Sequence, residues 1–312
     1  AAVALVVMMV DGGDAGRPDP PLALQRYSVA VPTLEHIGPD PGKAYITHGI
    51  SVDVVGELSR HPQLRVIGRT STDQLRERGL SVRALADSLG VDGVLEGSVR
   101  VQDTVMHVTM QFVRPDGSID WSTAYDRPVR AASTIHAEIA RDIVARLALT
   151  PLTQLAASAD SGDWALYSRG RYHLDRRTVP DLREAIALFD SALRANPNSA
   201  QAHAGLADAY RLLAAPEHAA ARPEDALPEA EKHARRAIAL DSTLADAHAS
   251  LANVVFNFKW DWPAAKRSFE RAIALRSNHV TAHQWYGLYL AAMGDTAGAK
   301  AHARIVREIE PK

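Results

Sequence analysis

The chain has 312 residues, 46% hydrophobic and 23% charged, with a formal net charge of −2. That composition suits a soluble polypeptide with room for about two domains, and the near-neutral charge supplies no basic field for nucleic acid. There is no cysteine, which excludes disulfides, thiolate nucleophiles and cysteine-ligated zinc or iron–sulfur centres.

The first ten residues, AAVALVVMMV, are apolar throughout. A bilayer span needs about 20 such residues, and a secretory signal would carry a positive start and a small-residue cleavage site. Residues 1–10 are read as the outer end of a transmembrane helix that begins upstream, an ordinary hydrophobic strand being the plain alternative. The glycines and prolines of DGGDAGRPDPPLALQ make residues 11–26 a linker.

Residues 27–150 mix strand and helix signals and predict an α/β domain. YSVAVP reads as a short buried strand. Ile46, Ile50, Val54 and Leu58 recur every fourth residue as one apolar helix face. LRVIGR reads as a second strand. In SVRALADSLG, Ser81 is an N-cap candidate and Gly90 a stop. GVLEGSVRVQ is strand-like again. Met106, Val108, Met110 and Phe112 alternate with His107, Thr109 and Gln111, so one strand face is dry and the other wet. RPDGS is a turn. Ile119, Trp121, Thr123 and Tyr125 continue on the return strand, and Ile135, Ile139, Ile143 and Leu147 mark a last helix.

A connector containing Pro151 is expected between residues 148 and 163. Beyond it the strand signals stop, and alanine-rich helical segments repeat from residue 163 to 312. ALFDSALRANP, KHARRAIALDS, RSFERAIALRS and AHARIVREIEP are versions of one segment. AQAHAGLADAY, LADAHASLANVV and VTAHQWYGLYL precede the last three. Each unit is helix, turn, helix, and such units stack to cover their apolar faces. The pattern resembles the tetratricopeptide repeat, with a period of about 34 residues. Ala185, Phe189, Ala192 and Pro197 fit the first of about four units; Ala265, Phe269 and Ala272 fit the third. The second is looser, with APEHAAARPEDALP inserted between its helices. The expected fold class is therefore an α+β domain, a mixed sheet with helices, followed by an all-α tetratricopeptide-like solenoid.

The first half carries a second resemblance. YITHGISVDVVGELSRHPQLRVIGRTS, LADSLGVDGVLEGSVR and WSTAYDRP, followed directly by the repeats, resemble the extracytoplasmic region of bacterial membrane-spanning signalling proteins. There an α/β domain similar to the TolB N-terminal and FlgO domains precedes the repeats. A winged-helix transcriptional regulator, a nucleotidyl (adenylate) cyclase or a Ser/Thr kinase lies upstream of the membrane helix. The resemblance implies a periplasmic, membrane-anchored location, a sensory and protein-binding role without catalysis, and a homodimer as one open state. A free-standing envelope scaffold is the alternative.

No residue pattern carries a reaction. The phosphate-loop, zinc-protease and nucleophile-elbow spacings are all missing, so no catalytic, cofactor or metal residues are expected. His203, His248 and His283 occupy equivalent repeat positions; neighbouring helices sit about 8–10 Å apart, too far for one zinc with nitrogens at about 2.0–2.1 Å. They are read as packing groups, as are His136 and His302. Glu96, Gly97, Ser98 and Arg100 are weighed as an anion site against a central strand with Gly97 at a close approach, the latter preferred. Trp121 and Tyr125 are read as core anchors. Trp260 and Trp262, in KWDWP, are read as packed over the seam of the third helical pair rather than as a ligand box. Pro263 sits in the first turn and Asp261 is a cap candidate.

In the tetratricopeptide family the first helices line a concave groove for a peptide or a partner helix. The resemblance places Gln201, Asp208 and Arg211 there in the second unit, and Asp246, Asn253, Phe256 and Asn257 in the third. Thr281, Gln284 and Leu288 follow in the fourth. The other outcome is that this surface is solvated or covered by the α/β domain.

Overall fold

The computed structural model describes residues 27–61, 63–147, 149 and 163–310. The expected membrane segment and linker, and nearly all of the expected connector, lie outside these residues. None of the described helices is long and apolar enough to cross a membrane.

The first half is a mixed sheet with helices on both faces. Strands β1 (Tyr27–Ala30), β2 (Glu35–Ile37), β3 (Leu64–Ile67), β4 (Gly93–Gln102), β5 (Val105–Val113) and β6 (Ile119–Pro128) form it. Their order is β3-β1-β4-β5-β6, with β2 also on β4. β1 runs parallel to β3 and β4, while β4, β5 and β6 are antiparallel. The alternation in β5 is realised: Met106, Val108, Met110 and Phe112 are all buried. They meet helices α1 (Ala44–Leu58) and α4 (Ile135–Arg146) in one core. A smaller core on the other face joins Ala30, Ile67 and Val94 to α3 (Val82–Leu89). Ser81 caps α3, its hydroxyl accepting from the Ala84 amide, and Gly90 ends it at φ 58°. The turn before β6 is closed by Asp116, which accepts from the Ser118 amide and hydroxyl, with Gly117 at φ 88°. Tyr125 is core, and Trp121 stacks on Phe112 with the Arg146 guanidinium 5.1 Å from its ring. Ile119, at the start of the same strand, is 58% exposed. β2 and helix α2 (Arg69–Glu77) add to the elements expected from the sequence.

The second half is four consecutive helix pairs: α5 (Trp164–Arg176) with α6 (Val179–Ala195), α7 (Ala200–Ala214) with α8 (Pro223–Leu240), α9 (Ala245–Val254) with α10 (Trp262–Leu275), and α11 (Val280–Ala292) with α12 (Thr296–Ile309). Each helix packs on the next, and neighbouring first helices also touch. The seams are built from small residues: Ala185, Ala192, Ala230, Ala234, Ala265 and Ala272 are fully buried. Phe189 fills the first seam, wedged where a side chain on Gly170 or Gly205 would approach its ring to 2.5 Å. Asp261, Thr178, Ser199 and Asp295 cap their helices from the side chain.

Two expectations are corrected. The insertion in the second unit is shorter than expected, because α8 begins at Pro223 and takes in residues 223–228, with Pro228 inside the helix. A proline at the helix start loses only a donor that had no intrahelical partner. The two tryptophans do not close a seam. Trp260 is 70% exposed and Trp262 41%. α9 continues through a π-turn, Val255–Lys259, and Trp260 ends it in the left-handed region at φ 60°, which turns its side chain outward. The seam beneath is filled by Phe269 with Tyr286 and Tyr289, and by Phe256 edge-on to Tyr289.

The halves meet along α1. Its apolar face lies on the sheet, yet Thr47, His48, Ser51 and Glu57 are buried too. Thr47 and Ser51 meet His36 and the Leu34 amide beside β2, and His48 meets Asp175 of α5. Gly49 permits the approach of α5: a Cβ there would stand 2.7 Å from Ser168 Oγ and 3.0 Å from the Trp164 ring. At the other end of the repeats, Arg65 donates to the Glu308 carbonyl at 2.9 Å, and Asn278 donates to Ser59 Oγ at 3.0 Å.

Candidate functional site

Because α1 lies against the first helices, a cleft of about 390 Å³ forms between them. One wall is the outer side of α1, with Asp53, Glu57 and Arg60, joined by His136 from α4. The other wall is Asp163, Trp164, Tyr167 and Arg171 from the start of α5, then Gln201 from α7 and Asp246 from α9. Asp241 and Arg276 complete the rim. The lining thus holds five carboxylates, Asp53, Glu57, Asp163, Asp241 and Asp246, against three guanidinium groups, Arg60, Arg171 and Arg276.

Some of these charges are paired inside the protein. Arg276 donates to Asp246 at 2.6 Å, with the buried His279 at 3.2 Å from the same oxygen. Arg60 donates to one oxygen of Glu57 at 3.2 Å. The Trp164 indole N–H donates to Asp53 at 3.3 Å, and His136 stands 3.8 Å from it. Asp175, just below, receives Arg69 at 2.6 Å and His48 at 3.1 Å, with Arg171 farther off at 3.8 Å. Burial pushes Asp175 up, but Arg171, His48 and Arg69 together outweigh it and hold the carboxyl well below its usual range.

Other atoms have no hydrogen-bond partner: Glu57 Oε2, His136 Nδ1, Asp163 Oδ1 and Arg171 Nε. Glu57, His136 and Asp163 are only 6%, 6% and 3% exposed. Burial raises the pKa of Glu57 against the pull of Arg60, and raises that of Asp53 against His136 and the Trp164 hydrogen bond. The cleft thus carries more carboxylates than guanidinium groups and holds unpartnered atoms of both kinds.

The ten groove residues divide. Gln201 and Asp246 face α1 across the cleft. Asp208 and Arg211 pair with each other at 2.6 Å, and Arg211 lies buried 4.2 Å from the ring centre of Trp285. Asn253, Phe256, Thr281, Gln284 and Leu288 are half-buried, and Asn257 is exposed, its amide donating to the Asn253 carbonyl at 3.0 Å.

The three repeated histidines do not converge. The His248 and His283 rings turn Nε2 to the carbonyls of Ser242 and Ser277, at 3.1 and 2.8 Å, and His203 bonds the Pro197 backbone. His203 and His283 then share a hydrogen bond between Nδ1 atoms with His233 and His302, at 2.8 and 2.7 Å. Among the described residues no three metal-ligating side chains gather. Glu96 and Ser98 line a shallow cleft of about 210 Å³ with Glu35 and Arg76, but Arg100 does not. Gly97 holds a close approach: a Cβ there would stand 2.2 Å from the Thr109 carbonyl oxygen.

No protein-family model matches the chain. It is 29% identical over 196 residues to a Rhizobium meliloti (strain 1021) protein named "Putative adenylate cyclase 3", covering 60% of this chain and 33% of the relative. The chain thus spans about a third of that relative's length. A thermophilic TPR protein of Thermus thermophilus, TTC0263, covers 59% of this chain and 84% of its own, with 18% identity and a TM-score of 0.41. YrrB, described as a TPR protein with an unusual peptide-binding site, covers 58% and 82%, with 19% identity and a TM-score of 0.33. The repeat architecture itself rests on the helix pairing and buried seams of this chain.

Proposed function

We propose that this chain is the non-enzymatic, partner-binding region of a bacterial membrane signalling protein, standing outside the cytoplasm, with a TolB-N/FlgO-like α/β domain docked on tetratricopeptide-like repeats. The observation that carries the reading is the part of the inner repeat surface beyond the cleft. There Asn253, Asn257 and Gln284 lie partly exposed beside Phe256 and Leu288. Asparagine and glutamine offer both donor and acceptor to an extended backbone, and Phe256 supplies an apolar anchor. The cyclase name of the relative, two thirds of which lies beyond the match, supports a signalling context. Gln201 and Asp246 line the cleft beside α1 and are left outside the set proposed here.

The test uses peptides selected from a display library on the whole chain. Replacing Asn253 and Gln284 together by alanine should weaken the selected peptides at least tenfold with the thermal midpoint unchanged. Peptides that bind the double variant normally, and lose binding when Lys232 and Arg235 on the outer helix are replaced, would refute the groove.

A further inference from the structure

We propose that the cleft between α1 and the first three repeats binds a basic α-amino acid, its carboxylate on Arg171 and its ammonium groups on Glu57, Asp163 and Asp53. This goes beyond the peptide groove and does not depend on it.

The free atoms define the ligand. Glu57 Oε2 and Asp163 Oδ1 are buried acceptors without a donor, and Arg171 Nε is a donor without an acceptor. Leaving a buried polar atom unpaired is unfavourable, more so when the group is charged, so this number of orphans along one cleft marks a place built for something else. The three guanidinium groups are not equivalent. Arg276 is taken by Asp246 and Arg60 by Glu57. Arg171 alone has only a long contact, to an aspartate that Arg69 holds at 2.6 Å. A ligand carboxylate fits Arg171, since a guanidinium matches it edge to edge.

The carboxylates call for the opposite charge. The lining carries an excess of two negative charges. Water could satisfy the hydrogen bonds singly but brings no positive charge to that excess. A ligand with one carboxylate and two cationic groups leaves a net positive charge to meet it, as in lysine, ornithine or arginine. Burial also raises Asp53 and Glu57, which a bound cation reverses. Trp164 and Tyr167 wall the same space and suit an alkyl stem or a cation against a ring. The volume falls in the ~300–1,000 Å³ range of small-molecule sites.

The experiment is calorimetric titration of the whole chain with L-lysine, L-arginine, L-glutamate and putrescine, with thermal midpoints in parallel. One-to-one binding of lysine or arginine is expected, with glutamate at least tenfold weaker. Putrescine, which lacks the carboxylate, should also bind at least tenfold more weakly. Arg171→Met should abolish the preference for lysine over putrescine, and Glu57→Gln should weaken both. Should Arg171→Met fail to fold, Asp163→Asn keeps the test, because it changes a carboxylate oxygen that has no partner, and it should weaken lysine at least fivefold. Replacing Asn253 and Gln284 by alanine should leave lysine binding unchanged, which separates this site from the peptide groove. No saturable binding of any basic amino acid, putrescine binding as tightly as lysine, or tighter binding of glutamate would each overturn the proposal.

Discussion

Helix α1 contains two internal glycines, and substituting them in turn tests whether the two halves of the molecule dock as described. In an isolated helix, glycine to alanine gains about 0.8–1.0 kcal/mol. Gly56→Ala should keep that gain, because a Cβ at this position meets nothing within 4 Å. Gly49→Ala should not. Its Cβ would stand 2.7 Å from Ser168 Oγ, 3.0 Å from Ser168 Cβ and 3.0 Å from the Trp164 ring. The hydroxyl can swing aside. The serine Cβ is tied to the α5 backbone, and the indole is tethered to Asp53 by its N–H. Relief therefore requires α1 and α5 to move apart, and overpacking of this kind costs about 1–3 kcal/mol. Set against the helical gain, the net is a loss of about 1 kcal/mol, so the two variants should differ by about 2 kcal/mol. Denaturant unfolding of both variants beside the parent measures this directly. If Gly49→Ala stabilises the chain as much as Gly56→Ala, α1 and α5 are not in contact and the cleft does not exist as described.

Two further substitutions contrast a filled seam with an exposed turn. Phe269→Ala should cost about 3–5 kcal/mol, since its ring is fully buried, whereas Trp260→Ala should stay within about 0.5 kcal/mol; the reverse order of unfolding midpoints would return the tryptophans to the core. The histidine pairs predict acid sensitivity. Burial, with the neighbouring ring adding to it, lowers His233 and His283 from 6.5 to about 4. The unfolded chain then binds more protons between about pH 6.5 and 4, so stability is full above that window, falls as pH drops through it and levels off below. The thermal midpoint should drop between pH 7 and pH 5, and less steeply in a chain with glutamine at both positions. An equal drop in the two proteins would refute the assignment.

What was legible in the sequence was what a single element decides for itself. The alternation of β5 placed Met106 to Phe112 on the core face, and Ser81 and Gly90 bounded α3, because both signals are local. Phe189 and Phe269 repeat because each fills its own seam. The exposure of Trp260 is not legible, because a left-handed residue ending a π-turn has no pattern in the residue types. The cleft was illegible for a different reason. Ile46, Ile50, Val54 and Leu58 announce one buried stripe on α1, with Glu57 inside its arc and Asp53 at its edge, but the stripe does not say which distant side chains meet the carboxylates.

A helix covered on both sides hides such contacts. α1 is the layer between the sheet and the repeats, so polar residues on its repeat-facing side meet side chains more than a hundred positions later, as in the Trp164–Asp53 and His48–Asp175 contacts. The same coverage explains why the inner repeat surface divides. Positions near the starts of the first helices, such as Gln201 and Asp246, face α1 across the cleft. Positions about two turns further along, such as Asn253 and Leu288, lie beyond its lining. The tetratricopeptide resemblance alone places both sets in one groove; the docked helix divides them, giving one end of the first helices a half-open cleft rich in carboxylates and leaving the other partly exposed.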